Sequence, residues 1–198
     1  DGVDQVPGGE VEVHAARYLA RRGTAEDRCW GSDIALHHLD RALGAGVGVA
    51  DGDLDELHEQ EPERLAAVII EPLIQGVANM RLWPKGMLHE LNAWCGQNDV
   101  FLILDEVMTG FGRTGKMFAC LHEDVVPDFL CLAKGLTGGY LPLAATLTTK
   151  RVFEGFHGPE KTFFYGHSYT ANQLGCAAAL ASLRIFREEA VLEHLKPK

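Results

Sequence analysis

Residues 100–115 read VFLILDEVMTGFGRTG, and residues 129–139 read FLCLAKGLTGG. Each stretch opens on a short apolar run and closes it with an ionisable side chain. Asp105 follows Val-Phe-Leu-Ile-Leu, and Lys134 follows Phe-Leu-Cys-Leu-Ala. A continuous apolar run of this length, cut off by polar and Gly residues, predicts a strand buried on both faces, here Val100–Leu104 and Phe129–Leu132. Ala66–Ile70 is another such run, stopped by Glu71-Pro72, and Leu143–Thr148 is a fourth. Met87, Leu91, Trp94 and Cys95 recur at helical spacing, which predicts an amphipathic helix over Lys85–Gln97. Asn172–Phe186 is rich in small residues and reads as a further helix. Apolar strands alternating with helices imply an α/β fold of three layers, a mostly parallel sheet between two layers of helices. Ligands of such sheets sit beyond the carboxyl ends of the strands. Asp105 and Lys134 are therefore the first residues to weigh.

Taken singly, each has an ordinary explanation. A strand-end Asp can cap a helix or accept a loop hydrogen bond, and a strand-end Lys can carry its amine outward to water. Together they are harder to dismiss, because a carboxylate and an amine at the ends of neighbouring buried strands are costly without a function. Gly135, Gly138 and Gly139 follow the lysine, and glycines let a bulky ligand approach the backbone. Pyridoxal 5'-phosphate (PLP) needs this pair of groups. A lysine joins its aldehyde as a Schiff base, and a carboxylate keeps its ring nitrogen protonated. Its phosphate needs hydroxyl and backbone N–H donors near a helix start, and Tyr165-Gly166-His167-Ser168-Tyr169-Thr170 stands just before the predicted helix at Asn172. The lesser alternative is that Ser168 merely caps that helix.

The rest of the chain limits the partners. The 198 residues carry a formal net charge of -10 with no dense Lys/Arg run, which argues against nucleic acid. Cys29, Cys95, Cys120, Cys131 and Cys176 are scattered and odd in number, so neither a disulfide framework nor a zinc site is expected, and a reducing cytoplasm is. No apolar run reaches membrane-spanning length, so no membrane partner is expected. His37-His38 on a helix would put one imidazole on each face, and no metal site is expected there. Gly135–Gly139 lacks the adjoining lysine-Ser/Thr arrangement of a nucleotide P-loop. Residues 1–60 stay unassigned, with Val11–Ala20 and Ile34–Leu43 as possible helices and Gly44–Asp55 as loop. Residues 61–198 read as part of one cofactor-binding domain. The first residue is not Met and the last two are Pro197-Lys198, so a piece of a longer protein is expected.

Leu102–Gly115 (LILDEVMTGFGRTG), Leu130–Gly139 (LCLAKGLTGG) and Gly166–Ala177 (GHSYTANQLGCA) closely resemble the class III aminotransferases. The step from Asp105 to Lys134 matches the family as well. Four further stretches narrow the resemblance to the branch that works in biotin biosynthesis: residues 69–76 (IIEPLIQG), 115–128 (GKMFACLHEDVVPD), 137–149 (TGGYLPLAATLTT) and 162–176 (TFFYGHSYTANQLGC). The resemblance implies the large domain of a fold-type I PLP-dependent transferase, incomplete in this chain and inactive by itself. It implies amino transfer from S-adenosylmethionine or lysine to 8-amino-7-oxononanoate. An ω-amino acid or diamine substrate is the alternative within the family, and a non-catalytic remnant the alternative outside it. It further implies that Lys134 is the catalytic lysine that bonds the cofactor and that Asp105 pairs with the pyridine nitrogen. Ser168 and His167 would hold the phosphate, Gly166 would contact substrate, and the working unit would be a homodimer with shared sites. Arg113 would line the substrate site or serve as a partner for loop carbonyls, and Glu71 reads as structural. Two positions depart from the family pattern. Gln173 replaces a usual Pro, and Met108 replaces a Gln that some relatives place near the ring hydroxyl.

Overall fold

The computed structural model describes residues 12–14, 59, 65–76, 79–163, 166 and 168–195. Its main sheet holds β1 (Glu12–His14), β2 (Ala67–Ile70), β5 (Phe101–Asp105), β6 (Phe129–Leu132) and β7 (Ala145–Thr148), in the spatial order β1-β7-β6-β5-β2. β3 (Ile74–Gln75) and β4 (Arg81–Leu82) make a separate antiparallel pair. β5 pairs in parallel with β2 on one side and β6 on the other. β7 is antiparallel to both β6 and β1, so four of the five strands point one way and β7 opposes them. The sheet is mostly parallel, as its apolar strands predict. Leu102, Ile103 and Leu104 are consecutive and all buried. Successive strand residues face opposite sides, so β5 is covered on both faces.

One expected helix is corrected. Within Val11–Ala20, Glu12–His14 is a strand that pairs along β7, with Val13 opposite Leu147. The backbone groups on that edge of β7 need partners, and that tertiary demand overrides a weak local preference for helix. Ile34–Leu43, Gly44–Asp55 and His37-His38 lie outside the described residues. The fourth strand also starts two residues later than its apolar run. β6 ends at Leu132, opposite Ala145, and leaves residues 143–144 no ladder to join.

Helix α1 (Met87–Gln97) buries Met87, Leu88, Leu91, Trp94 and Cys95. It begins after Gly86, whose φ of 90° is left-handed and ends any helix from Lys85. Its capping carboxylate comes from far along the chain. Glu123 accepts the Gly86 N–H at 2.8 Å and the His89 N–H at 3.0 Å, satisfying amides that a helix start leaves open. Asp128 staples the other end of the sheet. It exchanges backbone and side-chain bonds with Leu102, each at 3.0 Å, and fixes the register of β5 against the start of β6. After β7 come α2 (Lys150–Glu154), α3 (Gln173–Glu188) and α4 (Val191–His194). Among these described helices none is long and apolar enough to cross a membrane.

Candidate active site

Asp105 is the last residue of β5 and stands opposite Cys131 of β6. Lys134 comes three residues after Cys131, past the end of β6. Because β5 and β6 are parallel, both ionisable residues lie at the same edge of the sheet, the carboxyl edge where the sequence places a ligand. Asp105 is half-buried, and its Oδ1 accepts the Val107 N–H at 3.0 Å. That is the ordinary loop bond, and it occupies one oxygen. Oδ2 takes no hydrogen bond from the described residues.

Lys134 opens a 3-10 turn, Lys134–Thr137, and its side chain is exposed. Its φ of 43° puts a non-glycine residue in the left-handed region, a conformation that the surrounding structure must hold. Two backbone bonds do so: Leu136 N–H to Ala133 O at 2.9 Å and Gly139 N–H to Lys134 O at 3.2 Å. The glycines that follow divide into two kinds. Gly138 and Gly139, with φ of 62° and 82°, make the turn. Gly135 is not open to a ligand as expected: a methyl group there would fall 2.7 Å from Phe111 Cβ. Its bare backbone makes room for Phe111.

Arg113 is exposed, and its Nε donates to Met108 O at 2.8 Å. It does serve a loop carbonyl, and the two terminal guanidinium nitrogens take no acceptor among the described residues. Glu71 accepts the Gly76 N–H with its carboxylate, and its carbonyl accepts Trp83 Nε1 at 2.9 Å. Met108 lies against Gly76, where a methyl group would come within 2.5 Å of its Sδ. Gly166 and Ser168 are both exposed, whereas Tyr165 and His167 lie outside the described residues. The cap of α3 is Asn172, whose Oδ1 accepts the Gly175 N–H at 2.8 Å.

Two residues escape a reading of strand ends. Glu106 is fully buried, and it accepts Ala119 N–H at 2.7 Å, Cys120 N–H at 2.8 Å and Thr109 Oγ1–H at 3.0 Å. Phe111 is buried against Phe118 and Phe186, at ring separations of 5.8 and 6.2 Å. The signal for Glu106 was its place beside Asp105. Neighbours in an extended chain face opposite sides, so when Asp105 faces the site its neighbour enters the covered layer. Burial, then the Glu106 carboxylate beside it, pushes the Cys120 thiol up. Burial, with Asp128 next, pushes Cys95 up to about 12. Both thiols stay protonated near neutral pH and are poor nucleophiles. Among the described residues no three His, Cys, Asp or Glu side chains gather where they could hold a metal.

The arrangement offers an accessible amine and a strand-end carboxylate with one uncommitted oxygen. That donor set fits a cofactor bearing an aldehyde and a basic ring nitrogen. The profile of the family "Aminotransferase class-III" matches residues 43–198. The chain belongs to the class-III aminotransferases. A curated relative from Nitratidesulfovibrio vulgaris, an adenosylmethionine-8-amino-7-oxononanoate aminotransferase, is 54% identical over 150 residues, 74% of this chain and 28% of the relative. The crystal structure of the enzyme of that name from Methanocaldococcus jannaschii superposes with a TM-score of 0.69 at 50% identity, covering 73% of this chain and 35% of that one. The taurine:2-oxoglutarate aminotransferase of Bifidobacterium kashiwanohense, solved with PLP and glutamate, superposes with a TM-score of 0.66 at 34% identity, over 85% of this chain and 36% of that one. This class-III chain thus spans about a third of the length of the relatives it matches. The α/β fold read from the sequence is that of these PLP-dependent neighbours.

Proposed function

We propose that the full protein is a PLP-dependent aminotransferase that moves an amino group from S-adenosylmethionine, or lysine, to 8-amino-7-oxononanoate, giving 7,8-diaminononanoate for biotin. The observation that carries the substrate reading is identity: relatives of that name from several organisms match this chain at about half of the aligned positions. The strand-end pair of Asp105 and Lys134 carries the chemical reading.

When bound, PLP supplies an aldehyde that takes up the amino group and a ring that absorbs the electrons of the substrate Cα–H bond. Lys134 would hold the cofactor through Nζ and would carry the proton to and from the substrate Cα. Asp105 would hold a proton on the ring nitrogen with the oxygen that Val107 leaves uncommitted. Ser168 and His167 bind the phosphate, and Arg113 and Gly166 contact the substrate. Arg113 does so with its terminal nitrogens while Nε keeps its loop bond. Residues 61–198 are part of the large, cofactor-binding domain.

The working unit is a homodimer in the cytoplasm that shares its sites, without nucleic-acid or membrane partners. Ser168, exposed and not used as the cap of α3, supports phosphate binding across the dimer. Cys95, Cys120, Cys131 and Cys176 join in no disulfide among the described residues, which supports a reducing compartment.

The test uses the full-length protein. Borohydride reduction followed by peptide mapping should find pyridoxyl on Lys134, and 8-amino-7-oxononanoate should be consumed with S-adenosylmethionine or lysine as donor. Label on Lys116 or Lys150 would sink the site. Turnover of an ω-amino acid or diamine in place of the biotin precursor would select the other substrate class.

A further inference from the structure

We infer that Glu106 is a positioning residue for Lys134, acting through the loop 107–118 and the Phe111–Gly135 contact. The inference rests on the aminotransferase reading for the importance of Lys134, though not for the coupling itself.

Glu106 takes no part in the site directly. It is fully buried, and its backbone N–H extends the ladder past Asp105 by donating to Cys131 O at 2.9 Å. Its carboxylate then gathers the two ends of one loop. Oε2 accepts Thr109 Oγ1–H and Ala119 N–H, and Oε1 accepts Cys120 N–H. Residues 107–118 therefore leave β5 and return to the same carboxylate. Inside the loop, Gly110 N–H bonds to Glu106 O at 3.0 Å and Phe111 N–H to Met117 O at 2.7 Å.

The loop meets the lysine turn at Gly135. Phe111 lies so close to Gly135 that a methyl group there would sit 2.7 Å from its Cβ and 2.9 Å from its ring. Phe111 is itself left-handed, with φ of 58°, so its placement is imposed by the loop and not by local preference. Behind the turn, α3 closes the layer. Ser182 Oγ donates to Gly135 O at 3.3 Å, and Phe186 packs on Phe111. Gly135 is thus clamped between the loop and α3, one residue after Lys134. A buried carboxylate with three donors is a stiff anchor, because each donor lost leaves an unsatisfied group out of reach of water.

The experiment uses the full-length protein. Glu106→Gln keeps the shape and turns one oxygen into a donor that faces either Cys120 N–H or the Ala119–Thr109 pair. Amide exchange in the cofactor-free protein should rise by about tenfold at Ala119 and Cys120, and also at Leu136, Gly138 and Gly139. With PLP, kcat should fall by about tenfold while KM for the amino donor stays within about twofold. Phe111→Leu leaves the Glu106 bonds in place. It should raise exchange at Leu136, Gly138 and Gly139 and leave Ala119 and Cys120 unchanged. Exchange that rises at Ala119 and Cys120 in Glu106→Gln, but stays at the wild-type rate at Leu136–Gly139 in both variants, would overturn the inference. So would a normal kcat in Glu106→Gln with its exchange raised at both places. If Glu106→Gln does not fold, Phe111→Leu decides by itself. Absence of pyridoxyl label on wild-type Lys134 would refute the aminotransferase reading and leave the exchange coupling standing.

Discussion

Asn172 accepts the Gly175 N–H through its side-chain oxygen at 2.8 Å, and this bond caps helix α3. Ser168, four residues earlier and exposed, is thereby released from the capping role that its position also allowed. A hydroxyl on an exposed turn just before a helix start is placed to meet an anion.

Mixed dimers test whether the sites are shared between subunits. Lys134→Ala and Ser168→Ala should each be inactive or strongly impaired in the full-length protein. If Ser168 serves the partner's site, a mixed dimer has one site with both lesions and one with neither. Activity should then return toward half of wild type for that species. No recovery, from two variants that each fold and are clearly impaired, would place Ser168 in its own subunit's site.

Asp105→Asn separates the charge of the carboxylate from its loop bond. An amide oxygen can still accept the Val107 N–H, so the turn after β5 should survive. It cannot stabilise a proton on a ring nitrogen. Turnover should drop by about a thousandfold, which is about 4 kcal/mol in the barrier. Unchanged thermal unfolding together with near-normal turnover would remove Asp105 from the chemistry.

Glu123 carries a stability prediction unconnected with the site. It caps α1 through two amides, and no side chain within the helix start does so. Glu123→Ala should cost about 1 kcal/mol, and Glu123→Gln less, since an amide still offers one acceptor. Urea unfolding of the three proteins ranks them, and equal midpoints would show the cap to be dispensable.

Cys95 gives the molecule a pH dependence of definite sign. Its thiol is pushed from 9.0 up to about 12 by burial and by Asp128. Above pH 9 the unfolded chain releases this proton while the folded one keeps it, so its contribution to stability falls as pH rises from about 9 toward 12. Urea midpoints measured from about pH 8.5 to 10.5 should decline more steeply in wild type than in Cys95→Ala, by up to about 1 kcal/mol per pH unit. Parallel declines would mean that Cys95 ionises as easily folded as unfolded.

The sequence by itself determined four of the five strands of the central sheet and the two ionisable residues beyond two of them. Phe129–Leu132 was legible residue for residue, and Phe101–Asp105 to within one. Short apolar runs have one stable use, burial on both faces, and the polar residue after each must lie at an edge. The motifs around Asp105, Lys134 and Ser168 carried the family as well. What tertiary structure decided was everything that depends on a partner distant in the chain. Glu12–His14 is a strand because β7 has an edge to fill. Glu123 caps a helix by bonding Gly86, 37 residues earlier, and Gly135 is glycine because Phe111 occupies the space beside it. Glu106 looks, in sequence, like the lesser half of an Asp-Glu pair, yet it is the fully buried one. Which of two adjacent carboxylates stays at the sheet edge and which anchors a loop is set by the side of the sheet each one meets, and that is fixed when the layers pack.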